Sequence, residues 1–180
     1  MKKTLMTAAV IASFGIAAFA SQAAFAASTG TINFSGKVYN DTCTINVNGG
    51  GATVALPVVA TSAFSTSAGV ALTTSATNFT IALSGCDTNL TGAQMAFSGT
   101  NIDATTGNLK NSLVTNNSNV EIELLSGASV VNTKTGINAP LIALSSGTGS
   151  TTLTAEYITT SATTTPGLVS SSVGFTLTYQ

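Results

Sequence analysis

The side chains of this chain that could do chemistry are few. Its 180 residues include five lysines, six carboxylates and two cysteines, with no histidine, arginine or tryptophan. A Ser-His-Asp triad, a Cys-His pair and a histidine zinc site are therefore excluded, and a phosphate clamp has no arginine to work with. The carboxylates offer one close pair, Glu121 and Glu123, on either side of Ile122. Residues two apart on a strand share a face, which is one way to bring two carboxyl groups together for acid–base work. A solvated strand face is the plainer expectation and the one adopted. Asp87, Asp103 and Glu156 are scattered and follow no calcium-loop pattern, so no metal, cofactor or catalytic residue is assigned. Gly147-Thr148-Gly149 has no lysine beside it and is read as a turn, not a phosphate loop. Five Asn-x-Ser/Thr triplets, starting at Asn33, Asn40, Asn78, Asn89 and Asn116, are an accident of a composition with 32 Thr and 21 Ser.

The cysteines gain meaning from the start of the chain. Lys2 and Lys3 precede an apolar run from Leu5 to Ala20 and then a small-residue region. That is the pattern of a secretory signal peptide, and the run is shorter than the roughly 20 residues of a spanning helix. Ala24-Phe25-Ala26 fits a small-x-small cleavage rule, giving a signal over 1–26, with cleavage after Ala23 as the alternative. Two of the five lysines leave with it, so the mature chain carries three lysines against six acids, a net charge of −3. No basic stripe remains for nucleic acid. In an oxidising compartment Cys43 and Cys86 have only one pairing, and no Cys-x-x-Cys spacing points to redox work. A bridge across that separation stabilises by about 3 to 4 kcal/mol in the chain-entropy model.

The elements that must position these residues are strands. Ile32, Phe34 and Val38 alternate with polar residues, as do Phe79, Ile81 and Leu83 before Cys86, and Val120, Ile122 and Leu124 further on. A period of two marks half-buried antiparallel strands. Turn-rich stretches separate them at 48–51, 61–68, 99–107, 145–150 and 161–167, with a short helical turn expected near 61–64. Roughly eight short strands without a βαβ rhythm indicate a Greek-key β-sandwich of one domain. The end of the chain alternates Val173, Phe175, Leu177 and Tyr179 with small polar residues, and no further strand follows.

In these residues the chain resembles the pilin subunits of chaperone-usher fimbriae, in the type 1-like group of major subunits. The motifs are Gly30 to Val38 leading to Cys43, Phe79 to Cys86, Ala155-Glu156-Tyr157, and the run from Pro166-Gly167 to Tyr179-Gln180. Tyr179 is penultimate and Gly167 lies fourteenth from the C-terminus, as in that family's chaperone-recognition motif; residues 99–150 are only generally similar.

The resemblance implies an immunoglobulin-like sandwich lacking its last strand, with a hydrophobic groove left open beside the C-terminal strand. It implies a donor-strand extension over 27–42 and a pilin domain over 43–180. Gly30, Ile32, Phe34, Gly36 and Val38 would be the donor row. Gly167, Val173, Phe175, Leu177 and Tyr179 would form the groove and chaperone-recognition strand. The partners implied are a periplasmic chaperone, an outer-membrane usher and neighbouring pilin subunits, with no nucleic acid and no cofactor. The implied role is a structural shaft subunit of a surface fimbria that supports adhesion. The alternative is a minor adaptor or an adhesive subunit that binds host carbohydrate.

Overall fold

The structure is a computed structural model, which describes residues 31–36, 38 and 43–180. The chain divides into two units, Met1–Lys37 and Val38–Gln180. In the first, residues 31–36 form no strand or helix, and Ile32 and Phe34 are 77% and 91% exposed. Gly30 lies outside the described residues.

The second unit is an all-β sandwich, with nine strands among the described residues. In chain order these are β1 (Thr44–Val47), β2 (Ala71–Ser84), β3 (Gly92–Ser98), β4 (Leu109–Lys110), β5 (Val120–Ser126), β6 (Ser129–Val130), β7 (Leu141–Ala143), β8 (Gly149–Thr159) and β9 (Gly174–Tyr179). One sheet runs β1-β2-β8-β5-β4, with β6 also on β5; the other is β7-β3-β9. Every ladder is antiparallel. The expected helical turn is a single 3-10 turn at Thr61–Ala63.

The two sheets meet in one apolar core. Ile81, Leu83 and Leu153 face it from the larger sheet, and Ala93, Met95 and Ile142 face it from the smaller, all almost fully buried. Full burial of a large aliphatic side chain stabilises by about 1.5 to 3 kcal/mol, so this layer dominates the fold's energetics. The cysteines are bridged as expected: Cys43 precedes β1, Cys86 follows β2, and Thr44 pairs with Ser84. The turn read at Gly147 is present, and only glycine fits there. Its φ is +76°, and an added Cβ would stand 2.6 Å from the Cys86 carbonyl oxygen.

The carboxylate expectation is corrected. Glu123 is buried, 8% exposed, and pairs directly across the ladder with Glu156, itself 5% exposed; Glu121 is half-buried. Alternation shows which residues share a face but not whether that face is wet. Strand β5 lies inside its sheet, between β8 and β4, rather than at an open edge. Burial pushes the Glu123 carboxyl above the usual range, and the facing Glu156 charge adds to the shift. Burial raises Glu156 as well.

Candidate functional site: an open groove beside the C-terminal strand

Strand β9 is paired on one side only. Its register against β3 runs from Gly174 opposite Ser98 to Tyr179 opposite Ala93, and its other edge carries no ladder among the described residues. Thr91 N–H donates to the Gln180 carbonyl at 2.8 Å and Gln180 N–H to the Gly92 carbonyl at 2.9 Å, which fixes the chain end on β3. An unpaired edge of regular backbone is a template for another strand.

Beside that edge lies a cavity of about 700 Å³. Val173 and Phe175 form one wall with the approach segment from Val169 to Ser172. The larger sheet supplies the floor through Phe79, Ile122 and Tyr157, and Phe97 of β3, the ladder partner of Phe175, lines the cavity from the smaller sheet. Residues Ala52 to Leu56 form the opposite wall, in a stretch that belongs to no strand. Val47, Leu56, Phe79, Phe97, Ile122, Val173 and Phe175 pack against the core yet remain half-buried. The groove therefore presents apolar surface and unsatisfied backbone together, the combination that β-strand addition uses.

Local structure explains why the wall stands where it does. Two side-chain amides hold residues 163–172 where regular strand pairing stops. Asn119 Nδ2 donates to the Thr163 carbonyl at 2.8 Å, and Thr165 N–H donates to Asn119 Oδ1 at 2.7 Å. Asn111 Nδ2 donates to the Leu168 carbonyl at 2.7 Å and its Oδ1 accepts from Ser170 N–H at 3.1 Å. On the floor, a bulge in β2 between Leu72 and Thr77 places the buried Ser75 hydroxyl in the ladder. Ser75 Oγ donates to the Leu72 carbonyl at 2.6 Å and accepts from Tyr157 N–H at 2.9 Å, which anchors Tyr157 at the groove.

The expected site residues separate into groups. Val173, Phe175, Leu177 and Tyr179 share the inward face of β9 and its approach, and all are half-buried. Of these four, Val173 and Phe175 line the cavity. Tyr179 Oη accepts from Cys43 N–H at 3.3 Å, linking β9 to the disulfide. Gly167 lies before β9, against a neighbouring loop, where an added Cβ would collide with the Asn117 backbone carbon. Ile32, Phe34 and Val38 are exposed, and no described atom lies within 4 Å of a Cβ built at Gly36. Sequence reasoning missed the wall at 52–56, although Val54, Leu56 and Val58 alternate there. It also missed the bracing by Asn111 and Asn119, for which no local pattern exists.

Among known proteins, a family model described as "Fimbrial protein" matches residues 32–180. The chain is similar to the F17 fimbrial protein of Escherichia coli, with 36% identity over 176 residues covering 92% of this chain and 96% of that one. It is also similar to the type-1 fimbrial protein A chain of Escherichia coli K12, with 34% identity over 169 residues covering 89% and 91%. In fold it resembles a chain of a chaperone-usher pilus solved to explain rod uncoiling, with a TM-score of 0.57 at 20% identity, covering 85% of this chain and 96% of that one.

Proposed function

The chain belongs to the fimbrial protein family, as a structural subunit exported to the cell-surface fimbria, and from that premise we propose that it polymerises by donor-strand exchange. Residues 27–42 of one copy act as the donor, and the groove beside β9 of the next copy accepts them. Addition of a strand to an open sheet edge is an established mode of recognition, known for chaperone–pilin pairs. Ile32 and Phe34 enter the groove as anchors, each worth on the order of 1.5 to 3 kcal/mol, while backbone ladder bonds supply general affinity. A head-to-tail contact of this kind does not close on itself, so it grows a filament.

The observation that carries the reading is the free edge of β9 over a half-buried apolar groove, in a chain that exposes Ile32 and Phe34. Before assembly the same groove needs cover, and a periplasmic chaperone and an outer-membrane usher are its proposed handlers. The role is that of the major shaft subunit, without catalysis. A minor adaptor or carbohydrate-binding subunit is the second reading; deleting this chain and counting surface filaments by electron microscopy separates them. Complete loss is expected, and filaments of normal number and length would favour the minor role.

The mechanism is tested by deleting Ala27 to Ser35. The truncated subunit is expected to accumulate with its chaperone and to form no multimers resistant to sodium dodecyl sulfate. Persistent multimer ladders would contradict the donor assignment.

A further inference from the structure

The groove is apolar over most of its length, but its wall carries a buried hydroxyl without a hydrogen-bond partner among the described residues. Ser171 continues the inward row of Val173, Phe175, Leu177 and Tyr179, and it lines the cavity beside Val173. Ser171 Oγ is buried and has no hydrogen-bond partner among the described residues. The flanking serines are held: Ser170 N–H donates to Asn111 Oδ1, and the Ser172 carbonyl accepts from Asn101 Nδ2 at 3.2 Å. A buried hydroxyl left unpaired is costly, so this one calls for an explanation.

The proposed donor supplies one, so the role assigned to Ser171 rests on the donor-strand reading. The donor's inward row is Gly30, Ile32, Phe34, Gly36 and Val38: two adjacent anchors with a glycine on each side. The cavity wall offers Val173 and Phe175 as two adjacent apolar positions, with Ser171 next in the row. With the anchors beside Val173 and Phe175, a glycine arrives beside Ser171 whichever way the strand runs. It is Gly36 for a strand antiparallel to β9 and Gly30 for a parallel one. A glycine has no Cβ to stand between a neighbouring hydroxyl and the backbone.

We infer that Ser171 is a specificity-determining residue of the groove: its Oγ–H donates to a backbone carbonyl of the incoming strand at that glycine and so fixes the strand's register. A strand slipped by two residues places Phe34 or Val38 beside Ser171 in the antiparallel arrangement, and Ile32 or Ser28 in the parallel one; beside any of the three apolar residues the hydroxyl is sealed in without a partner.

The test compares filaments built from the full chain carrying Ser171→Thr or Ser171→Val, two side chains of nearly equal shape that differ in the hydroxyl. The readout is the lifetime of multimers in sodium dodecyl sulfate at a fixed elevated temperature. The threonine form is expected to outlast the valine form by roughly three- to tenfold. Should either bulkier variant fail to accumulate, the serine chain is compared with Ser171→Ala, and the alanine form is expected to be the shorter-lived. Equal lifetimes, or longer ones without the hydroxyl, overturn the register role. If Phe34→Asp filaments nevertheless disappear, only the role of Ser171 has failed; if they persist, the donor reading fails with it.

Discussion

The two ends of this sandwich are built from the same strands and end in different states. Along β3 the inward row is Ala93, Met95 and Phe97; the first two are 0% and 2% exposed and the third is only half-buried. Along β8 the row is Leu153, Ala155 and Tyr157, again buried, buried and half-buried. The closed end has a complete facing layer. At the other end the facing layer stops at the stretch 52–56, which belongs to no strand, beside the edge of β9 that carries no ladder among the described residues. Identical alternation therefore gives a finished core where both layers are present and a half-buried apolar groove where the facing layer stops. In the donor-strand proposal the groove is unfinished core, and its affinity for a strand is the stability the fold has yet to collect.

The largest effect is expected from placing charge in the unfinished end. Phe34→Asp should abolish filaments while leaving the chaperone complex at its normal level, because the carboxylate would be buried unpaired in another molecule's groove at several kcal/mol. Phe175→Asp places the same charge in the groove's own wall, so subunit accumulation should fall too. Immunoblots of periplasmic complex beside electron micrographs separate the two; equal complex levels for both variants would mean that donor and acceptor are assigned to the wrong ends.

The next effect lies at the disulfide, beside the end of β9 where Tyr179 pairs with Ala93. Cys43→Ser removes the bridge that holds β1 on β2 and disturbs, beside it, the backbone N–H that meets Tyr179 Oη. A loss of about 2 to 5 kcal/mol is expected, read as a lowered denaturant midpoint and poor periplasmic recovery. Gly167→Ala acts on the segment that leads into the groove wall. Its Cβ would collide with the Asn117 backbone, and relief requires residues 165–172 to move. A cost of about 1 to 3 kcal/mol is expected, with weaker multimers, while the closed end keeps its amide-exchange protection.

The smallest effect concerns the facing carboxylates of β5 and β8. Glu123 and Glu156 both have raised folded-state pKa values, so the folded chain binds protons more readily than the unfolded chain. Stability then falls as pH rises through that range and recovers on mild acidification. Asp103 is shifted the opposite way by hydrogen bonds from the Thr106 and Thr105 backbone and opposes the trend only at lower pH. Glu123→Gln should raise the melting temperature by a few degrees at pH 7 and flatten its change between pH 7 and pH 5. An unchanged pH profile would show that the pair does not set it.

Much of the sandwich was legible in the residues. The alternation of Phe79, Ile81 and Leu83 is strand β2, that of Val173 to Tyr179 is β9 and its approach, and the only pairing available to Cys43 and Cys86 is formed. These are local patterns, and local patterns reach a sequence reader directly. Three features were not legible, each for want of a non-local fact. Glu123 looks solvated until β4 and β8 are known to flank its strand. Asn111 and Asn119 look like loop residues until residues 163–172 are brought beside them. Residues 52–56 look like a loop until the cavity is seen between them and the approach to β9. Ile32, Phe34 and Val38 alternate like a strand and stand exposed, as a donor row outside its own sandwich would. Alternation marks a capacity to pair, and the proposal here is that another molecule provides the edge.

That proposal is tested most directly by a photo-crosslinking phenylalanine analogue at position 34 in assembled filaments. Illumination should yield covalent multimers that survive boiling and reduction, with peptide mapping that joins residue 34 to the groove of a second copy, at Phe79, Val173 or Phe175. Crosslinks confined to single subunits, or joining residue 34 to surfaces outside the groove, would contradict the account.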